Sequence, residues 1–249
     1  MLTKAIIKYI RSLKEKKNRD EHRTFVVEGN KMVTELLSIL DCEILIYSNL
    51  DSKSLNLNKV QKIIEVKDDE ISKVSLQKNP QQMLAVFYQP ESHVVNDLEA
   101  KLSLVLDEIQ DPGNLGTIVR LADWYGIENI FCSRDTADIY NPKTVQATMG
   151  ALARVRVHYR NLEEFLISQK HLPIYGTFLD GKNIYEENIT PNGLIVMGNE
   201  GKGISETIEK YVNQRLFIPS YPPDKETCES LNVAVATAIT CAEFRRRMF

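Results

Sequence analysis

Apolar residues in the first third of the chain follow two different patterns, a helical spacing and short continuous runs. Between Leu2 and Leu13 they recur at steps of three and four, which predicts an amphipathic helix whose far side is basic. Further along, short apolar runs predict strands. These runs are TFVVEG, EILIY, KIIEV and MLAVFY. Helices are predicted through residues 32–37 and over DDEISKVSL, so strands and helices alternate in a small α/β domain.

The second half of the chain repeats this alternation with more strongly apolar strands. Its predicted strands are LSLVLDEI, NIFC, RVRVHY, PIYGTF, LIVMG and RLFIP, and a last helix is predicted from about Ser230 to Arg247. Strands of this kind are typical of a mostly parallel sheet with helices on both faces, where ligands lie beyond the carboxyl ends of the strands. The polar stretch QPESHVVNDLEAK separates the halves. We therefore predict a first domain over residues 1–92, a linker over 93–101 and a second domain over 102–249.

Composition indicates an ordinary globular protein. Of its 249 residues, 43% are apolar and 26% are charged, and no run approaches the roughly 18 apolar residues of a membrane span. Lysines interrupt the apolar residues of the N-terminus, which argues against a signal peptide. The four cysteines lie far apart without a CxxC pair, so neither a metal site nor a disulfide framework is indicated. We expect a cytoplasmic protein with no membrane partner.

Two basic clusters stand out against a net charge of −3. The first contains Lys14, Lys16, Lys17 and Arg19, and the second is the RRR run at residues 245–247. Local basic patches can bind phosphates even on an acidic protein. Such runs also occur as solvated helix faces, and the sequence leaves both interpretations open.

Three segments that follow predicted strands carry unusual polar residues. The segment DEIQDPGNLGTIVRLADWYGI, residues 107–127, has Asn114 at a predicted helix start, where it can serve as N-cap, and Arg120 within that helix. The segment IVMGNEGKGIS, residues 195–205, is a glycine-rich turn that contains Glu200 and matches neither GxxxxGK[ST] nor GxGxxG. Taken singly, both segments also fit a capped helix and a plain glycine turn.

The third segment, residues 218–239, is a proline-bearing polar loop that leads into Ser230, Leu231 and Asn232. An apolar helix follows, for which Ser230 is the predicted N-cap. A capped core helix would explain this segment without any ligand.

Taken together, the three segments resemble the SpoU/TrmH family of the SPOUT methyltransferases. They match, in order, its DPxNxGxxxR, MGxEGxG and IPx…SLNVxxA motifs, each after a predicted strand. The resemblance covers roughly residues 102–249. More loosely, TFVVEGNKMVTELL and the strands up to MLAVFY look like the small RNA-binding domain that often precedes the catalytic domain.

The resemblance implies an enzyme that uses S-adenosylmethionine to methylate a ribose 2′-hydroxyl in tRNA or rRNA. It implies an α/β fold in which a small N-terminal RNA-binding domain precedes a SPOUT-type parallel-sheet domain with a C-terminal trefoil knot. It also implies a homodimer with the donor pocket near the dimer interface. The first basic cluster then becomes a candidate RNA contact.

Functional residues carry over where the motifs match. The implied active-site residues are Asn114, Arg120, Glu200, Ser230 and Asn232. The implied donor contacts are Thr177, Gly198, Ile218 and Leu231. Because a free guanidinium is effectively never deprotonated, we expect Arg120 to hold a phosphate and stabilise the developing alkoxide rather than act as a base. The loop SYPPDKETCE is longer than the corresponding loop of the family pattern. The resemblance therefore does not predict the rim of the pocket or any substrate preference carried there.

Two other functions compete with this interpretation. A non-catalytic RNA-binding protein could keep the fold with a dead donor pocket, although such a protein need not retain the whole polar set. A nucleotide-dependent oxidoreductase of the doubly wound class is disfavoured, because no glycine fingerprint follows the first strand of the second domain.

Overall fold

The computed structural model describes residues 2–49, 55–91, 95, 97–222 and 230–248, and the chain divides into two compact units. The first unit combines Met1–Ser92 with Asp138–Ala153, and the second combines His93–Ala137 with Arg154–Phe249. Nothing in the sequence pattern predicts that residues 138–153 pack with the first unit. The functional division into residues 1–92, 93–101 and 102–249 stays a prediction.

The helices and strands of the described residues follow the predicted alternation. In chain order they are α1 (Lys4–Ser12), α2 (Lys16–His22), β1 (Thr24–Glu28), α3 (Asn30–Leu37), β2 (Cys42–Tyr47), β3 (Val60–Glu65), α4 (Asp68–Ile71), β4 (Met83–Tyr88), β5 (Leu102–Leu106), α5 (Pro112–Trp124), β6 (Asn129–Cys132), α6 (Pro142–Thr148), β7 (Arg156–Tyr159), α7 (Leu162–Ser168), β8 (Ile174–Asn183), β9 (Gly193–Met197), α8 (Glu206–Glu209), β10 (Gln214–Phe217) and α9 (Val233–Arg246).

A mixed four-stranded sheet lies at the centre of the first unit, in the order β1-β4-β2-β3. β1 and β2 run antiparallel to β4, and β3 runs parallel to β2. Ile10 and Leu13 pack with the strand residues of this sheet in one buried cluster. The apolar spacing of the N-terminal segment therefore predicts its buried face correctly.

The N-terminal segment forms two helices rather than the single helix that its periodicity suggests. α1 ends at Ser12, whose carbonyl accepts a hydrogen bond from Asn18 Nδ2 at 2.8 Å. Arg19 stabilises the turn that follows, because its guanidinium donates to the carbonyls of Leu13 and Lys14 at 2.8 and 2.6 Å. Periodicity misses this break because the stabilising contacts are made by polar side chains from the next helix.

Residues 138–153 are tied to the first unit by polar and aromatic contacts. The Arg19 side chain, which is 2% exposed, forms an ion pair with Asp138 at 2.6 Å. The rings of Phe25 and Tyr140 lie 4.7 Å apart. The sequence motifs lie elsewhere, so only the structure reveals that this segment belongs with the N-terminal sheet.

The second unit is built on a six-stranded parallel sheet in the order β10-β8-β9-β5-β6-β7. From β5 the chain moves outward through β6 and β7, and it later continues on the other side of β5 with β9, β8 and β10. The order therefore reverses between β5 and β9. In parallel sheets this switch point opens a crevice at the carboxyl ends of the strands, where ligands bind.

The parallel sheet agrees with the predicted fold class, whereas the C-terminal trefoil knot stays a prediction. Residue pairing places the ends of β5 and β9 side by side, since Leu106 is opposite Met197. The first sequence motif follows β5 within five residues, and the second begins at the last residue of β9. Within the described ranges, no helix combines the length and apolar character needed to cross a bilayer.

Candidate active site

The chain turns sharply where β5 ends. Glu108 has a φ of 57°, in the left-handed region that non-glycine residues rarely adopt. Its amide donates to Ser133 Oγ at 2.9 Å, and its carbonyl accepts from Asn199 Nδ2 at 2.8 Å. Both backbone groups of Glu108 are therefore satisfied by side chains, which offsets the cost of this conformation.

The turn leads into α5, whose N-cap is Asp111. The Asp111 carboxylate accepts a hydrogen bond from the Asn114 amide at 2.9 Å, and Pro112 occupies the first turn, where no amide proton is needed. The prediction that Asn114 caps this helix is therefore wrong. Because Asp111 does the capping, the Asn114 side chain remains available for other contacts.

The glycine-rich segment after β9 closes into a tight loop over residues 199–203. The backbone groups of Asn199 and Gly203 exchange two hydrogen bonds of 2.9 Å. A Cβ on Gly198 would lie 2.2 Å from the Gly203 carbonyl carbon and from the Ile204 nitrogen. Only glycine allows this close approach, so Gly198 has a clear role in the loop's shape.

Glu200 lies on this loop and faces α5. Its Oε1 accepts a hydrogen bond from Asn114 Nδ2 at 2.9 Å. Asn114 Oδ1 in turn accepts from Asn232 Nδ2 at 3.1 Å. The three side chains form one hydrogen-bonded row, which we name the polar row. It joins residues from all three sequence motifs at the switch point of the sheet.

The helix α9 begins immediately after the polar row. Asn232 is its N-cap, because its Oδ1 accepts from the amides of Ala234 and Val235 at 3.0 and 3.3 Å. The prediction of Ser230 as N-cap is wrong. Ser230 is exposed two residues earlier. Asn232 thus uses its oxygen to hold the helix and its nitrogen to hold Asn114.

Arg120 stands apart from the polar row. It is exposed on α5 and makes no hydrogen bond or ion pair with any residue that the structure describes. It follows Asn114 by six positions, which places the two residues about 120° apart around the helix. The structure therefore brings Glu200, Asn114 and Asn232 together, but leaves Arg120 as an unengaged cation on the same helix.

The sequence profile of the SpoU rRNA methylase family matches residues 101–242. The chain belongs to this family. A second profile, that of the MRM3-like substrate binding domain, matches residues 4–85. The family that the three motifs suggest is thereby confirmed.

Two proteins with similar sequences or structures match nearly the whole chain. The Bacillus subtilis 23S rRNA (guanosine(2553)-2′-O)-methyltransferase RlmP is 32% identical over 244 residues, covering 96% of this chain and 95% of RlmP. A Porphyromonas gingivalis protein of the TrmH family has a similar structure, with a TM-score of 0.87, 39% identity and 99% of each chain covered.

An rRNA methyltransferase from Sinorhizobium meliloti, solved with AdoMet bound, is also similar. It has a TM-score of 0.86 and 30% identity, with 100% of this chain and 97% of that chain covered. These comparisons confirm the SpoU-type α/β fold and the enzyme class, an RNA 2′-O-methyltransferase.

Two of the four donor residues expected for a SpoU enzyme lie at the carboxyl ends of strands on one side of the switch point, and the other two lie elsewhere in the second unit. Thr177 lies on β8, and its Oγ1 donates to Met197 Sδ at 3.7 Å. Gly198 and Ile218 directly follow β9 and β10. Leu231 precedes the α9 cap and has 45% of its surface exposed. Residues 223–229, which form most of the long loop before Ser230, lie outside the described residues.

The four basic residues predicted to bind RNA have different environments. Lys14, Lys16 and Lys17 are exposed, on the turn after α1 and at the start of α2. Arg19 is buried and occupied by Asp138 and two carbonyls. Its guanidinium is therefore occupied within the first unit, so Lys14, Lys16 and Lys17 remain as the exposed candidates for contact with RNA.

The three C-terminal arginines make hydrogen bonds and ion pairs within the second unit. Arg245 donates to the carbonyl oxygen of Tyr125 at 2.8 Å, at the end of α5. Arg246 and Arg247 pair with the buried carboxylate of Glu243 at 2.7 and 2.8 Å. All three arginines of this second basic cluster are thus bound by acceptors within the unit.

Two residues near the site have contacts that the sequence motifs did not predict. Asn199 binds the amides of Gly201 and Lys202 and the carbonyl of Glu108. The buried Asp107 accepts from the Ser205 amide at 2.8 Å. An asparagine before a glycine run is a known turn former, and this preference could have identified Asn199.

Proposed function

We propose that this chain transfers a methyl group from S-adenosylmethionine to a ribose 2′-hydroxyl of large-subunit ribosomal RNA. The observation that carries the proposal is the polar row, Glu200–Asn114–Asn232, at the switch point of a SpoU-type sheet. The chain is an RNA 2′-O-methyltransferase. Ribosomal RNA is favoured over tRNA because RlmP, which matches along nearly the whole chain, is a 23S rRNA enzyme.

The residues expected to bind the methyl donor fit its chemistry. Ile218 and Leu231 provide partly exposed apolar surface for an adenosine, and the backbone after β9 and β10 offers polar groups. The donor supplies an activated methyl group on its sulfonium, so the protein's main task is positioning. Thr177 and Gly198 complete the set that we assign to donor binding.

The acceptor hydroxyl must lose its proton and carries negative charge as it reacts. We assign Arg120 to the RNA phosphate and to stabilisation of the developing alkoxide, because its guanidinium is exposed and has no partner among the described residues. The polar row holds Asn114 and Asn232 in one orientation, so that they can orient the ribose. Ser230, exposed beside this row, is assigned to the same group.

The first unit supplies the RNA-binding surface in this proposal. The match to the MRM3-like substrate binding domain over residues 4–85 supports this assignment. Lys14, Lys16 and Lys17 lie on that unit with exposed side chains, as an electrostatic contact with phosphates requires. We retain the division into an RNA-binding domain over residues 1–92 and a methyltransferase domain over 102–249.

We also propose a homodimer, a C-terminal knot and a cytoplasmic site of action. Exposed apolar side chains on α5 and α9 support a dimer, since Trp124 is 83% exposed and Val235 is 48% exposed. Light scattering at micromolar concentration tests this assembly, and a stable monomer would contradict it. Bacterial relatives that modify 23S rRNA support the cytoplasmic location.

The decisive experiment incubates the purified chain and radiolabelled S-adenosylmethionine with a 23S rRNA transcript and with a tRNA pool. We expect label in the 23S transcript, at a ribose that resists alkaline cleavage on its 3′ side. Label only in tRNA would contradict the choice of RNA. Binding of 23S rRNA without methyl transfer, and without calorimetric binding of S-adenosylhomocysteine, would favour a non-catalytic RNA-binding protein.

A further inference from the structure

We propose that Asn199 is a positioning residue for methyl transfer, and this inference rests on the proposed function. Its side chain makes three hydrogen bonds that hold the loop of residues 199–203 against the end of β5. Oδ1 accepts from the amides of Gly201 and Lys202 at 2.9 and 3.1 Å. Nδ2 donates to the carbonyl of Glu108 at 2.8 Å. Three of the four hydrogen bonds that one amide side chain can make are therefore in use.

The two ends of the Asn199 side chain have separate effects. The oxygen bonds shape the loop locally, as an asparagine turn does. The nitrogen bond ties that loop to Glu108, in the segment between β5 and α5, and Asn114 lies six residues further on, in the first turn of α5. Asn199 consequently fixes the distance between the glycine loop and the start of α5.

Glu200 depends on that distance because it follows Asn199 directly. Its carboxylate reaches Asn114 at 2.9 Å, and Asn114 reaches Asn232 at 3.1 Å. A shift of about 1 Å in the loop would break the first of these bonds, and misplacements of this size can cost roughly 100-fold in rate. Asn199 thus acts on catalysis through Glu200, without touching RNA or donor.

A second contact supports the same assignment. The buried Asp107, also at the end of β5, accepts from the Ser205 amide at 2.8 Å on the far side of the loop. The loop is therefore held to the β5–α5 connection at both ends. Asn199 holds the end next to Glu200, so its loss should move Glu200 more than it moves the rest of the loop.

The test compares Asn199→Ala, Asn199→Ser, Glu200→Gln and the double variant Asn199→Ala/Glu200→Gln. For each we would measure single-turnover methyl transfer to 23S rRNA, S-adenosylhomocysteine affinity by calorimetry, and thermal unfolding. Asn199→Ala should slow methyl transfer about 10- to 100-fold. Asn199→Ser should recover part of that loss, because its hydroxyl can still accept from the loop amides but is too short to reach Glu108.

The matched control is Asn161→Ala. Asn161 also binds two backbone amides, those of Glu163 and Glu164, but it does so at the start of α7 and not in any sequence motif. This variant should lower thermal stability by as much as Asn199→Ala while its methyl-transfer rate stays at the wild-type value.

A positioning role predicts that Asn199→Ala and Glu200→Gln are not additive, with the double variant about as slow as the slower single variant. Fully additive losses, or a wild-type rate in Asn199→Ala, would overturn the proposal. If wild-type protein binds S-adenosylhomocysteine but methylates no RNA, the proposed function fails. The Asn199 proposal then falls with it, whereas a wild-type rate in Asn199→Ala, measured beside an active wild-type protein, overturns the Asn199 proposal alone.

Discussion

Asn114 and Asn232 lie 118 residues apart in the chain, yet Asn232 Nδ2 donates to Asn114 Oδ1 across 3.1 Å. The same Asn114 side chain donates to Glu200, and the same Asn232 side chain caps α9. One amide-to-amide bond thus links the starts of two helices and the glycine loop. Each of the three motifs contributes one residue, which explains why none of them is informative alone.

Moving the negative charge of the polar row from Glu200 to position 114 tests this arrangement. Asn114→Asp replaces the Nδ2 donor with an oxygen that faces the Glu200 carboxylate, so the hydrogen bond becomes a repulsion. A hydrogen bond to a charged group is worth about 1.5–3 kcal/mol, so we expect methyl transfer to fall roughly 10- to 100-fold. Adding Glu200→Gln restores a donor to the pair and should recover much of the rate. Single-turnover kinetics checks both variants, and a double variant no faster than Asn114→Asp would refute the pairing.

Substitution of Arg120 tests its proposed phosphate contact. A guanidinium can hold a phosphate through two parallel bonds, whereas lysine provides only a point charge. Both Arg120→Ala and Arg120→Lys should lower the rate about 10²–10³-fold, as the loss of a transition-state contact does. Calorimetry with S-adenosylhomocysteine and thermal unfolding serve as controls, and both should be unchanged because Arg120 is exposed and unpaired with any described residue. Activity retained in Arg120→Lys alone would mean that charge suffices.

Charge reversal at Lys14, Lys16 and Lys17 tests the RNA-binding surface. The triple glutamate variant should bind RNA more weakly and reduce the slope of log affinity against log salt by about 2–3, because each lost phosphate contact changes that slope by roughly 0.7–0.9. Donor affinity should not change. Reversal of Lys62 and Lys73, which are also exposed on the first unit, is the matched control. Equal losses in both sets would indicate a general charge effect.

The ion pair between Arg19 and Asp138 should matter for stability and not for RNA. Arg19→Met leaves the Asp138 carboxylate, which is 15% exposed, without its partner. Breaking a buried pair in this way costs about 3–5 kcal/mol, whereas Arg19→Met/Asp138→Leu should cost much less than the sum of the two single losses. Urea unfolding followed by circular dichroism measures these differences. A loss below about 1 kcal/mol in Arg19→Met would show that the pair contributes little.

The buried Glu28 should make stability depend on pH. Burial raises the pKa of this carboxyl above its ordinary value of 4.5, although hydrogen bonds from Ser75 and Leu76 oppose the shift. A raised pKa in the folded state favours the protonated form, so this contribution to stability is lost as the pH rises above about 4.5. The wild type should therefore lose stability relative to Glu28→Gln as the pH rises from below 4.5 through the raised pKa of Glu28. Parallel urea titrations measure the difference, and a constant difference across that range would contradict the shift.

Strand positions and motif chemistry could be read from the sequence because both are local. Buried parallel strands need continuous apolar runs, and all six strands of the second unit were recognised in this way. The motifs indicated which residues meet, since their order and their position after strands match a known family. Asn114, Glu200 and Asn232, which the resemblance assigns to one active site, are hydrogen-bonded to one another in the structure.

Only the tertiary structure decided which side chain makes each contact. Asp111 and Asn232 cap the helices for which Asn114 and Ser230 were expected, because capping depends on where the chain turns and not on residue type alone. The sequence places Arg19 in a basic run with three exposed lysines. In the structure Arg19 is buried and pairs with the carboxylate of Asp138, 119 residues further along the chain. Sequence periodicity describes one helix or strand at a time. An ion pair, a helix cap or a packed segment depends on the path of the backbone and on residues that are distant in the sequence.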